Sequence, residues 1–110
     1  MAGINYPFYK IPKVVFCNAN LSPCAKLLFA YLAYREAFFV NNKGYSQGSS
    51  FPCYLRTLAN KIGKSTDSVR KNYIPELIAE GYVEKRNRSV NHSTQCEYRI
   101  KWETITNGEN

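Results

Sequence analysis

Six neighbouring residues carry groups able to do directed chemistry: Thr66, Asp67, Ser68, Arg70, Lys71 and Asn72. Short hydroxyls and an amide can exchange hydrogen bonds with base edges, and cations can hold phosphate or guanine. They form the polar face of one predicted helix, whose apolar face is Val69, Tyr73, Leu77 and Ile78. Ser65 or Thr66 can cap that helix, with Asp67 in the first turn, where the helix dipole favours a negative charge. A solvated helix face is the plainer reading of such a run. Two features set it apart from an ordinary charged face: Lys64 enters the helix, and a basic segment with Lys85, Arg86 and Arg88 follows it.

The elements that must position this face lie directly before it. Leu55, Leu58, Ala59 and Ile62 repeat at i, i+3, i+4 and i+7, which makes one side of a helix. Gly63 then supplies the left-handed residue that closes it. A short helix, a turn around a glycine and a longer helix ending at Gly81 read as a helix-turn-helix. Beyond Gly81 the period changes to two. Cys96, Tyr98, Ile100 and Trp102 fall on one face of a strand, and residues 82–86 alternate loosely. Two strands joined by the polar stretch 87–95 form a hairpin wing. The tail 103–110 is polar and expected to fray.

Upstream, Ser22 and Pro23 announce a helix predicted over 23–39, as N-cap and first helical residue. Cys24, Ala25, Leu28, Phe29, Leu32 and Phe39 share one side. A second stripe, Leu27, Tyr31, Tyr34 and Phe38, lies beside it, so the helix demands wider cover than a surface helix. Residues 4–16 hold Pro7 and Pro12 and read as an extended arm. That arm (1–20) or a second subunit in a homodimer would cover the second stripe. The stretch 41–50 is a flexible connection, and Phe51-Pro52-Cys53 a short extended entry to the helix-turn-helix.

At 110 residues the chain makes one domain, 21–102, between arm and tail. A hydrophobic fraction of 45% and an aromatic fraction of 15% exclude a disordered chain. Fifteen Lys plus Arg against eight Asp plus Glu leave +7, a balance suited to a polyanion. Charged residues interrupt the longest apolar run, so no membrane span is expected, and no signal-peptide pattern opens the chain. Cys17, Cys24, Cys53 and Cys96 form no C-x-x-C pair, and His92 stands in a polar turn. Free thiols in a cytoplasmic protein follow, without zinc. Scattered acids and the lack of a glycine-rich nucleotide motif argue against an enzyme and against a cofactor.

The segments FYKIPKVVF, LSPCAKLLFAYLAY and GSSFPCYLRTLANKIGKSTDSVRKNYIPELIAEGYVEKR resemble the winged-helix domains of phage and plasmid replication initiators. The helix-turn-helix core also resembles GntR-type transcription regulators. The likeness spans roughly residues 8–102 and implies an α+β winged helix-turn-helix: three helices plus a C-terminal two-stranded β-hairpin wing. It implies double-stranded DNA as partner, in replication or transcription of a phage, plasmid or other mobile element. By position it implies DNA contacts from Arg56 and from Ser65, Thr66, Ser68 and Arg70. Asp67 departs from it by being acidic, and either caps or accepts from a cytosine amino group. Lys64 replaces an apolar turn residue, and either touches phosphate or loosens the turn. A protein-interaction winged helix with incidental basic charge is the rival class.

One departure is geometric. Eight residues separate Val69 from Leu77 where the GntR-like pattern has seven, and eight overshoot the face by about 80°. Pro75 within that span withholds an amide from the helix ladder. A single π-type bulge or a kink between Lys71 and Pro75 is predicted to absorb both, with Leu77 and Ile78 buried after it.

Overall fold

A computed structural model describes residues 11–87 and 95–108. The chain runs α1 (Lys13–Phe16), α2 (Pro23–Lys43), β1 (Phe51–Tyr54), α3 (Leu55–Ile62), a long recognition helix, β2 (Val83–Asn87), β3 (Gln95–Ile100) and α6 (Trp102–Gly108). The recognition helix has three parts: α4 (Thr66–Ser68), a π-turn (Val69–Tyr73) and α5 (Ile74–Ala79). This is an α+β fold, with a helix-turn-helix followed by an antiparallel strand pair.

A π-turn is present, but it spans Val69–Tyr73, beginning two residues before the predicted Lys71–Pro75 and leaving Pro75 in the first turn of α5. It absorbs one residue, so Ile74 and Leu77 stand four and seven effective positions after Val69. All three are fully buried. Ile78, eight effective positions on, swings off that face and is 43% exposed. Burial of Ile78 was therefore a wrong expectation, and Ile74 takes the place beside Leu77. Glu76 gains from the same phase. Its carboxylate accepts the Ser22 N–H at 2.7 Å and the Ser22 hydroxyl at 2.9 Å. Ser22 Oγ in turn accepts the Ala25 N–H as N-cap of α2. The recognition helix thus places a carboxylate at the start of α2, where the helix dipole favours it.

Helix α2 is the central element, with Ala25, Leu28, Phe29 and Leu32 at its buried side. It runs four residues past the predicted end, because Gly44, at φ 75°, is the residue that can close it. Tyr31 of the second stripe is buried, and α3 covers it: Lys61 Nζ stands 6.0 Å from the ring centroid. Neither arm nor second subunit is needed there, although Leu27 and Phe38 stay exposed. Residues 1–10 of the proposed arm lie outside the described residues. Its end is not extended: Pro12 precedes a helical turn, α1, whose Val15 is fully buried. Proline restricts the residue before it more than those after it, so it can stand at a helix start.

The wing belongs to a three-stranded sheet in the order β1-β3-β2, not to a two-stranded hairpin. Phe51 pairs with Tyr98 and Cys53 with Cys96, while Val83 pairs with Ile100. All six are buried, so the register places one apolar face inward. Pro52 is tolerated because β1 is an edge strand. The predicted fraying tail is instead α6, so more than three helices are present. Trp102 opens it rather than ending β3, and Ile105 buries one turn later. The four cysteines are free: Cys17 is exposed, Cys24 half-buried, and Cys53 and Cys96 buried. Burial pushes the Cys53 thiol up, against the opposing pull of the Arg35 charge.

A buried carboxylate fastens the loop after α2, and the last helix, α6, to α2. Glu36, 4% exposed, accepts the Gly48 N–H at 3.0 Å and the Trp102 Nε1–H at 2.9 Å. Arg99 Nε donates to the Gly48 carbonyl at 2.9 Å from the other side. Glu36→Ala would orphan two donors, at a cost of about 1–3 kcal/mol each. We expect α6 to detach first, read as a red shift in the emission of Trp102, the single tryptophan. For the phase of the recognition helix, Ile74→Ala should cost about 2–5 kcal/mol in denaturant unfolding. Ile78→Ala should cost under about 1 kcal/mol. Equal costs would contradict the phase shift.

Candidate nucleic-acid interface

The turn of the helix-turn-helix is closed, not loosened. Gly63 is left-handed at φ 70°, and the Lys64 N–H donates to the Ala59 carbonyl at 3.0 Å. Lys64 is exposed at that turn, at the entrance to α4. Ser65 does the capping: its Oγ accepts the Ser68 N–H at 3.1 Å and lies 3.0 Å from the Ser68 hydroxyl. Two of the predicted base-reading hydroxyls are therefore engaged in holding the first turn. Thr66, Asp67, Arg70, Lys71 and Asn72 are exposed together on the recognition helix. Arg70 Nη2 donates to Asp67 Oδ1 at 2.9 Å, so Asp67 is an ion-pair partner and not the cap. Arg56 is exposed on a different helix, in the first turn of α3.

A second basic area lies past the other end of the recognition helix, roughly 16 Å along its axis from Asp67. A cleft of about 350 Å³ opens there between Ile78, Gly81 and the sheet. Lys85, Arg86, Arg99 and Lys101 line it, with Glu84 as the acid among them. Arg99 is occupied at home: it meets Glu103 at 3.0 Å and Glu84 at 3.4 Å. The hydrogen bond to Glu103 raises the Arg99 pKa above its ordinary value. Glu103 is lowered, first by a backbone N–H and then by Arg99. Lys85, Arg86 and Lys101 carry the remaining positive charge of the cleft. Arg88 lies outside the described residues.

Sequence reasoning missed Lys101. Its signal was available: it follows Ile100 in the alternating run and so points away from the buried face. Tyr54, 46% exposed at the junction of β1 and α3, was also passed over. Among the described residues no group of His, Cys, Asp and Glu gathers to hold a metal, and no helix is long and apolar enough to cross a membrane.

Solved structures match this arrangement, among them three that cover 94% of the chain at 23% identity. One is the N-terminal domain of a DNA-binding protein, at TM-score 0.64 over 86% of that chain. A Rep–DNA complex matches at TM-score 0.65 over 87%, and an MDR initiator at 0.63 over 89%. The chain shares their fold. The resemblance to replication-initiator winged helices therefore holds at the level of the overall fold. No protein-family profile matches the chain, and no curated protein does.

The two basic areas differ in what they can do. The cleft gathers Lys85, Arg86 and Lys101 beside the fixed Arg99, a charge suited to phosphate. Arg86→Ala with Lys101→Ala should lower the salt slope of DNA binding by about 0.9 for each phosphate no longer neutralised. The melting temperature should move little, since charges at the surface add little to folding. A large stability loss with an unchanged slope would assign these side chains to packing.

Proposed function

We propose that this chain is a sequence-specific double-stranded DNA-binding module. In this reading it acts in initiating or controlling replication of a phage, plasmid or other mobile element. One observation carries the reading. The core takes Val69, Ile74 and Leu77 from the recognition helix, which leaves Thr66, Asp67, Arg70, Lys71 and Asn72 presented as a set. A helix of this length fits the major groove, where donors and acceptors differ for every base pair. The net charge of +7 supplies the nonspecific attraction on which such reading rests. The shared fold with a Rep–DNA complex and an initiator supports the replication role.

In this reading the recognition helix reads bases, and Arg56 and Lys64 hold phosphate beside it. Lys85, Arg86 and Lys101 attach the wing side to the backbone. The module performs no catalysis, requires no cofactor and works in the cytoplasm of a bacterial or phage-infected cell. A transcription regulator would use the same contacts, and the biological assay, not the binding assay, separates the two. A protein-interaction role draws on one specific feature, the shallow cleft where Leu27 stands 58% exposed beside Ala30, Tyr31, Lys61 and Ile62. Salt separates that class: packed apolar contact changes little with ionic strength, whereas phosphate binding weakens steeply.

Selection from random-sequence duplexes, followed by mobility shift, tests the reading directly. A defined site should emerge, and Arg70→Ala should weaken binding to it by about 1–3 kcal/mol and relax preference at one base pair. Arg56→Ala should weaken all sequences alike. Unchanged binding in both variants would remove the helix-turn-helix from the interface.

A further inference from the structure

Asp67 is out of place on a surface meant for a polyanion. A carboxylate there repels phosphate, and the helix dipole that favours an acid in this first turn gives only a small gain on an exposed surface. The cap is supplied by Ser65, which holds the Ser68 N–H. What Asp67 does hold is Arg70, at 2.9 Å, while both side chains stay open to solvent at 68% and 53%. An exposed pair three residues apart contributes little to helix stability. Its effect is on where the guanidinium can go.

A guanidinium has five N–H donors in a rigid fork, and Asp67 engages it through Nη2. The donors left over suffice for the bidentate pairing of arginine with guanine O6 and N7. A long side chain held in advance loses less rotamer freedom when it pairs, which favours the base contact. The same carboxylate disfavours a swing of Arg70 outward to phosphate, because Asp67 would be left facing the backbone unpaired. Its remaining lone pairs can accept from a cytosine amino group in the groove.

We propose that Asp67 is a specificity-determining positioning residue: it aims Arg70 at a guanine in the major groove and lowers affinity for other DNA. The proposal rests on the DNA-binding reading above and names which base pair the helix reads, a G·C pair. Asp67 gives up general attraction in return for discrimination. Arg70 alone would bind nearly any phosphate.

The test begins with the duplex site that the wild-type chain selects from random sequence. Dissociation constants are then measured on that site, on the same site with the guanine replaced, and on random-sequence duplex. Asp67→Ala should bind random duplex several-fold more tightly and lose about tenfold or more of its preference for the guanine. Arg70→Lys, which keeps the charge and loses the fork, should lose the same preference. The double variant should lose no more than either single one, the signature of two residues acting as a unit. The melting temperature of Asp67→Ala should stay close to wild type, which separates the effect from a structural one. Guanine preference that survives Asp67→Ala, parallel weakening on all duplexes, or a selected site without a guanine would each overturn the proposal. In those three cases the DNA-binding reading stands. A wild-type chain that binds no duplex at all overturns both.

Discussion

The recognition helix has one residue too many for a regular α-helix, and much of the molecule depends on how that surplus is absorbed. The π-turn at Val69–Tyr73 rotates everything after it back by one position. Ile74 and Leu77 then continue the buried face of Val69, and Glu76 arrives at the N-terminus of α2. Without the turn those side chains would leave their partners together. Pro75 is accommodated at the start of α5, where the ladder is already irregular and its missing amide costs least. The widened turn also carries Arg70, Lys71 and Asn72, so the irregular part of the helix coincides with its polar face.

Two carboxylates withdrawn from the surface organise the rest. Glu76 joins the recognition helix to the start of α2, and Glu36 joins the far half of α2 to the loop after it and to α6. Both accept two hydrogen bonds from half-buried donors. Asn18 adds a third tie, from its side-chain amide to Glu80 and to the Tyr82 hydroxyl. Acids that serve the scaffold in this way do not oppose a polyanion. Asp67, exposed among the cations of the recognition helix, is not withdrawn in this way.

Much of this was legible in the residues. Ser22-Pro23 marks the start of α2, Gly63 marks the turn, and the alternation from Cys96 to Ile100 marks β3. Counting eight residues from Val69 to Leu77 showed that one residue had to be absorbed, since helical phase is a matter of arithmetic, but the proline drew the expected place two residues too late. The same arithmetic, carried one residue further, would have exposed Ile78. What could not be read depends on partners distant in sequence. Phe51-Pro52-Cys53 is too short to declare itself a strand, and only pairing with β3 makes it one. Trp102 fits a period of two with Ile100 and a spacing of three with Ile105, and the Glu36 hydrogen bond selects the helix. Cover for Tyr31 came from Lys61 and Ile62, a packing choice that periodicity does not reveal. At the polar face the residue types were legible, but not the division of labour among Ser65, Asp67 and Arg70. That division is set by hydrogen-bond geometry within a single turn.

The π-turn also governs how this chain can be aligned with others. A one-residue insertion held inside Val69–Tyr73 leaves both flanks in register with an uninterrupted helix, yet offset from each other by one. Thr66 to Ser68 correspond to a shorter relative without a gap, and Ile74 onward correspond only with one. Between them the gap has no unique place, because the insertion is spread over the whole widened turn. Arg70, Lys71 and Asn72 fall within that interval. Matching their contacts to those of a relative is thus a question of direction in space, which column order in an alignment does not answer.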